Sequence, residues 1–290
     1  MKYKWLLIAI VVNISFIHSQ EDTEIYLLDL VQGDSLIVVN NPINISKNKG
    51  YDNQPSFLHD GSGVLFSGMR YGQTDIVLFD IETRTKKWLT DTYTNEYGPQ
   101  QTYKKKYFSA IKQKEDGSQQ LWEFSFNGKR AKKILESDKV AYHLWIHKKM
   151  FAAFIIGDPS ILQVSNLKFK IQYPIAKNIG RTLQLIPNTN QISLISYEQE
   201  DPEIYAVNPI NSQIKYLTDP LKDVQDFAWL PDGTMIMGKD SNLYKFVPGK
   251  DKKWIKFANL AEYSLKGITR IAASPLGTKL AIVVNEKYED

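Results

Sequence analysis

The chain has no cysteine among its 290 residues. That removes disulfide bonds, thiolate metal sites, cysteine nucleophiles and lipid attachment at cysteine together. Charge is sparse: Asp, Glu, Lys and Arg make up 23%, and 36 basic against 32 acidic residues leave a formal net charge of +4. So small an excess does not point to nucleic acid. With 16 Gly and 12 Pro the composition is ordinary, which excludes collagen-like and low-complexity chains. Beyond the first twenty residues no apolar run is long enough to cross a membrane. Nor does any stretch of helical period run long enough to compete with strands. What remains is Ile, Val and aromatic residues gathered in short apolar runs, the composition of β-structure.

Residues 1–20 read MKYKWLLIAIVVNISFIHSQ. Lys2 and Lys4 precede an unbroken apolar run from Trp5 to Val12, and Ile14, Phe16 and Ile17 extend it to the polar exit His18-Ser19-Gln20. This is the layout of a secretory signal peptide, and Asn13 interrupts the run that a membrane span would need. The expected organisation is a signal over 1–19 followed by one domain over 20–290. The mature chain is expected in the periplasm or secreted, with no lipobox cysteine and no transmembrane anchor. Its formal net charge falls from +4 to +2 when Lys2 and Lys4 are lost.

Three markers recur along the rest of the chain. The first is a turn between apolar strands: Phe57-Leu58-His59-Asp60-Gly61, Trp229-Leu230-Pro231-Asp232-Gly233 and Ala273-Ser274-Pro275-Leu276-Gly277. Asp-Gly between alternating apolar residues is the strongest local hairpin signal, because Gly accepts the positive φ of the turn. Degenerate copies lie at Gln101-Thr102-Tyr103-Lys104, Trp145-Ile146-His147-Lys148 and Leu185-Ile186-Pro187-Asn188. Equivalent positions are 59, 103, 147, 187, 231 and 275, at intervals of 44, 44, 40, 44 and 44. The second marker is a strand such as Asp75-Ile76-Val77-Leu78-Phe79 or Glu203-Ile204-Tyr205-Ala206-Val207. The third closes each unit, as in Lys87-Trp88-Leu89-Thr90 and Lys215-Tyr216-Leu217-Thr218. The weakest closing segment is Tyr173-Pro174-Ile175-Ala176.

A repeat of about 40–45 residues carrying four strands is the signature of a propeller blade. The chain opens with the second marker, Glu24-Ile25-Tyr26-Leu27-Leu28-Asp29, and its last repeat stops after two strands, Ile268 to Val284. The predicted fold is therefore all-β: a six-bladed β-propeller with four antiparallel strands per blade. Its last blade is closed by N- and C-terminal strands together.

The segment Pro55-Ser56-Phe57-Leu58-His59-Asp60-Gly61, with Phe66-Ser67-Gly68-Met69-Arg70-Tyr71-Gly72, Asp75-Ile76 and Leu89-Thr90, resembles the repeat of TolB-like propellers. These are WD-repeat-like six-bladed proteins of the bacterial periplasm. The resemblance covers residues 24–286, and is closest at 50–90 and 219–256. Leu58-His59 stands where the family has Ser-Pro, and the third and fourth blades lose the Asp-Gly. The motif specifies blade turns, so what it implies is fold, location and a role in binding; it carries over no catalytic residue.

No G-x-S-x-G elbow and no Walker A loop occurs, and Gly61-Ser62-Gly63 belongs to a hairpin. His143 and His147 would share a strand face at a separation of about 13 Å, too far apart for one metal. His59 and His147 fall at the turn position. The strand entering each first hairpin should line a central channel. Five residues before the turn position stand Gln54, Gly98, Tyr142, Thr182, Asp226 and Arg270, with Asp52, Tyr97, Arg181 and Thr269 just upstream. The candidate ligand-binding residues at the channel mouth are thus Asp52, Gln54, Tyr97, Tyr142, Arg181, Asp226 and Arg270. Asp226 and Arg270, from adjacent blades, are placed to form an ion pair. Lys104-Lys105-Lys106, Lys129-Arg130 and Lys250 with Lys252-Lys253 are read as solvated turns that guard outer edges. Trp145 and Trp229 share one repeat position, Trp88 and Trp254 another, as packing between blades.

The expected function is that of an exported, non-enzymatic scaffold binding another envelope or periplasmic protein or a ligand. It is expected to be monomeric, with no cofactor, metal, catalytic residue or nucleic-acid partner. The alternative is a small-molecule enzyme or sensor, metal-dependent in one form, working at the channel mouth.

Overall fold

The computed structural model describes residues 22–33 and 36–285. The segment read as a signal, 1–19, lies outside them. The described residues form 24 strands and one short 3-10 turn at Leu260–Tyr263. The strands are β1 (Thr23–Gln32) and β2 (Ile37–Asn44); β3 (Asn53–Phe57), β4 (Gly63–Arg70), β5 (Gln73–Asp80) and β6 (Thr85–Trp88); then β7 (Asn95–Gln101), β8 (Tyr107–Gln113), β9 (Gln119–Ser125) and β10 (Ala131–Lys133). There follow β11 (Val140–His147), β12 (Met150–Ile155), β13 (Ile161–Asn166) and β14 (Ile171–Lys177), then β15 (Ile179–Leu185), β16 (Ile192–Ser196), β17 (Glu203–Val207) and β18 (Ile214–Thr218). The chain ends with β19 (Ala228–Trp229), β20 (Met235–Lys239), β21 (Asn242–Phe246), β22 (Ile255–Asn259), β23 (Ile268–Ala273) and β24 (Lys279–Asn285).

They pair into six four-stranded antiparallel sheets. Five are consecutive in sequence, blades one to five, starting at β3, β7, β11, β15 and β19. The sixth has the order β2-β1-β24-β23, so the two ends of the chain share a blade, as the half-repeats at each end require. The clasp is long: β1 pairs with β24 from Thr23↔Asn285 to Asp29↔Lys279. The repeated turns close as their residues demand. Gly61, Gly233 and Gly277 sit at φ +74, +89 and +65, and Asn188, a residue that tolerates the left-handed region, takes φ 60 in the degenerate turn.

Among the described residues there is one apolar cluster for each seam between neighbouring blades. Leu65 and Ile76 of blade one pack with Phe108 and Phe124 of blade two. Ile25 and Val283 of blade six pack with Phe66 and Phe79 of blade one, which closes the ring. The core is thus six radial seams rather than one centre, and it leaves the axis free for polar residues. Trp145 and Trp229 donate across their seams to Ser109 and Ser193 of the preceding blade, each at 2.8 Å. Trp88 lies under the Arg70 guanidinium at 4.4 Å, and Trp254 packs on Phe246 at 5.4 Å.

The ring has two unlike ends. Turns from first to second and from third to fourth strand emerge on one face, here the turn face. Second-to-third turns and the connections between blades emerge on the other, the loop face. Among the described residues, these turn-face segments carry thirteen exposed Lys and Arg against three exposed Asp and Glu, with a fourth acid, Asp251, half-buried. Those of the loop face carry thirteen exposed Asp and Glu against six Lys, with two further acids buried, Asp52 and Asp226. The Lys104, Lys129 and Lys250 runs all belong to the turn face. The sequence placed them at turns, but did not show that they gather on one side of the disc. No helix among the described residues is long and apolar enough to cross a membrane.

Candidate functional site at the channel mouth

One small cavity, about 90 Å³, is lined by the leading strand, or the residues entering it, of all six blades. It therefore sits on the ring axis. Gln54 comes from β3, Gly98 from β7, Tyr142 from β11, Arg181 and Thr182 from β15, Asp226 from the residues before β19, and Arg270 from β23. All stand near the starts of their strands, at the loop-face end of the channel. The row read from the repeat at five residues before each turn is this lining.

A local irregularity accompanies it. The first strand pair slips register between Asn53 and Ser56, Tyr97 and Gln100, Val140 and Tyr142, Ile179 and Leu183, and Ile268 and Arg270. A bulge bends its strand and redirects a side chain. Here it recurs where five of the six blades meet the axis, so simple alternation does not say which neighbouring residue points inward.

Charge is concentrated within. Arg270 Nη1 lies 3.6 Å from Asp226 Oδ2; the carboxylate is buried and the guanidinium 11% exposed. The same Asp226 oxygen accepts from Thr182 Oγ1 at 3.0 Å, while Oδ1 accepts from the Ile271 N–H at 3.1 Å. Burial pushes the Asp226 carboxyl up from its ordinary value, and Arg270 and Arg181 pull it back down. Arg270 also donates to the Tyr142 hydroxyl at 3.3 Å and stands 5.5 Å from the centre of that ring. Arg181 donates from Nη2 to the Thr269 carbonyl at 2.8 Å, but its buried Nε has no partner among the described residues. Burial and then the nearby Arg270 charge lower the Arg181 pKa. Two guanidiniums share one carboxylate, so the channel mouth holds an excess positive charge inside an acidic face.

The other candidates divide. Gln54 lines the cavity but is held in a seam, its Oε1 accepting from the Gly98 N–H at 2.7 Å and Ser67 Oγ at 3.0 Å. Tyr97 lies outside the lining and meets Tyr51 edge-on at 6.1 Å. Tyr51 was not singled out in the sequence; burial raises its pKa, and the Arg270 charge opposes that. Asp52 is buried away from the cavity, accepting from the Met69 N–H at 3.1 Å, and burial pushes its carboxyl up to about 7. Glu96 is the second carboxyl raised to about 7 by burial, in spite of the Thr92 and Thr94 hydroxyls that donate to it. No motif marks either carboxyl as buried.

His143 backs the cavity and is held about 3 by burial, hence neutral. Its Nε2 lies 2.6 Å from Ser109 Oγ, which also accepts from Trp145 Nε1. The indole, the Ser109 hydroxyl and the imidazole thus form a chain that joins two blades. Ser109 is wholly buried, so this pair knits the seam rather than meeting a substrate. His59 and His147 are exposed at the turns where the repeat places them. Among the described residues no group of three His, Asp or Glu is arranged to hold a metal ion.

The fold is a six-bladed β-propeller like that of solved TolB structures. No family model matches the sequence, and no curated protein matches it. Solved structures match the fold throughout. One is a TolB from Agrobacterium tumefaciens, with TM-score 0.72 and 10% identity over 92% of this chain and 99% of that one. Another is TolB from Acinetobacter baumannii, with TM-score 0.59 and 11% identity over 93% of this chain and 65% of that one. A third is an oligogalacturonate lyase from Vibrio parahaemolyticus, with TM-score 0.53 and 13% identity over 93% and 99%. At such identities the likeness is one of fold.

Proposed function

We propose that the chain is an exported, non-enzymatic propeller that holds another protein of the cell envelope, or a ligand, against its loop face. One observation speaks most directly against a small-molecule substrate at the axis: the cavity there, about 90 Å³, is far below the roughly 300–1,000 Å³ that enclose one. A partner would be gripped by the rim of the face and would reach the axis with one group only. The loop face also presents Tyr71 and Tyr93, both fully exposed, and tyrosine is a residue type that anchors protein interfaces. Export rests on the pattern of residues 1–19, and the envelope setting on the resemblance of the repeat to periplasmic propellers.

Chemical cross-linking in the envelope, followed by purification of the chain, tests this reading. The expected result is a recurring envelope protein linked to loop-face residues. Repeated recovery of the chain alone would count against it. The second reading, a small-molecule enzyme or sensor, is favoured by the convergence of Asp226, Arg270, Arg181 and Tyr142 on one polar cavity. It predicts a turnover or a small-ligand response that Asp226→Ala abolishes.

A further inference from the structure

We infer that the channel mouth takes a carboxylate: the free C-terminal end of a peptide whose preceding residues are basic. The inference rests on the reading of the chain as a protein-binding propeller and specifies what enters its axis.

Three observations converge. The first is the charge imbalance within the cavity, where Arg181 and Arg270 face only Asp226. The second is Arg181 itself, a guanidinium that lines the cavity and makes one side-chain hydrogen bond among the described residues, from Nη2 to the Thr269 carbonyl. A guanidinium edge matches a carboxylate with two parallel donors. The Tyr142 hydroxyl accepts from Arg270 and so keeps its own proton to give. The third is the setting. The small volume admits a carboxylate head and a few waters, not a side chain of any size. Around it the loop face carries thirteen exposed acids against six lysines among the described residues. A free small anion must cross that field unaided and is repelled. A basic segment is drawn to the rim, and it delivers its terminal carboxylate to the arginines. Both charge patterns are then used by one ligand.

The test uses the whole mature chain and a fluorescent peptide of Lys and Ala ending in a free carboxylate, read by anisotropy at low salt. The same peptide with an amidated C-terminus, and acetate or inorganic phosphate alone, form the other arms. Amidation should weaken binding on the order of ten- to a hundredfold, the worth of one charge-assisted pair. Arg181→Gln should bring the free-acid peptide down to the affinity of the amidated one, while Arg181→Lys retains part of the difference. Arg181 is half-buried and donates one described hydrogen bond, and an unchanged melting temperature will show that Arg181→Gln folds. Equal binding of the two peptides, or an unmoved difference in Arg181→Gln, overturns the carboxylate while leaving a protein-binding loop face intact. Acetate or phosphate binding as tightly as the peptide overturns the peptide terminus. No binding of either peptide at millimolar concentration overturns the inference, and envelope cross-linking then judges the broader reading separately.

Discussion

The two faces of the disc are built from the same repeat, yet they differ in what they do with charge. On the turn face the lysines are exposed, with Lys104 alone among the described ones paired to a buried acid, Glu123, and the acids cap turns. Asp60, for example, accepts from the Ser62 N–H at 3.0 Å. On the loop face the chain must cross from the outer strand of one blade to the inner strand of the next. Those crossings pass beside the axis, and they bury Asp52 and Asp226. One face spends charge in water, where it is worth little; the other holds charge in protein, where each partner counts. The channel mouth and its arginines belong to the second kind.

The largest expected difference between the faces comes from removing one acid on each. Asp226→Ala leaves Arg270 and Arg181 without a counter-charge and strips an acceptor from Thr182 and the Ile271 N–H. A loss of about 3–5 kcal/mol in urea unfolding is expected. Asp60→Ala on the turn face should cost about 1 kcal/mol or less. Similar losses for the two would break the distinction.

A smaller effect separates them by pH. The Asp52 carboxyl sits near 4 in the unfolded chain and about 7 in the folded one. The folded state therefore holds this proton more tightly. Its contribution is complete below pH 4 and is lost as pH rises through 7. Asp52→Asn, which cannot ionise, should gain on the natural protein by on the order of 1–3 kcal/mol between pH 5 and pH 8. Asp60, whose pKa is lowered by the Ser62 hydroxyl and N–H, should give no such gain when changed to Asn. A flat difference for Asp52→Asn would show that its burial does not set its proton affinity.

The smallest effect is on the lysines. Replacing Lys105, Lys106, Lys148 and Lys149 by Gln should leave stability within about 0.5 kcal/mol per site. It should shift elution from a cation exchanger to lower salt, since these side chains are exposed. Lys104 is left out because its Nζ reaches the buried Glu123 at 2.9 Å and 3.0 Å.

Much of this comparison was legible in the sequence. The 44-residue spacing and the half-repeats at each end correspond to the blades and to the shared sixth sheet. The row Gln54, Gly98, Tyr142, Thr182, Asp226 and Arg270 is the channel lining, because the hairpin turn fixes the distance from tip to axis. The upstream neighbours were less readable. Arg181 enters the cavity while Asp52 and Tyr97 do not, since recurrent bulges at the inner strands break the two-residue alternation there. The division of charge between faces is not legible along the chain for another reason. Lysine runs and scattered acids look alike along the chain, and only the antiparallel order of each blade sorts them to opposite ends.

The most direct measurement places a photo-reactive amino acid at Tyr93, on the loop face, and at Lys149, on the turn face, in cells producing the full chain. Both positions are exposed, and neither touches the channel. The account predicts a discrete cross-linked protein from position 93 and none of comparable yield from position 149. Products from position 149 alone would assign binding to the basic face and contradict it.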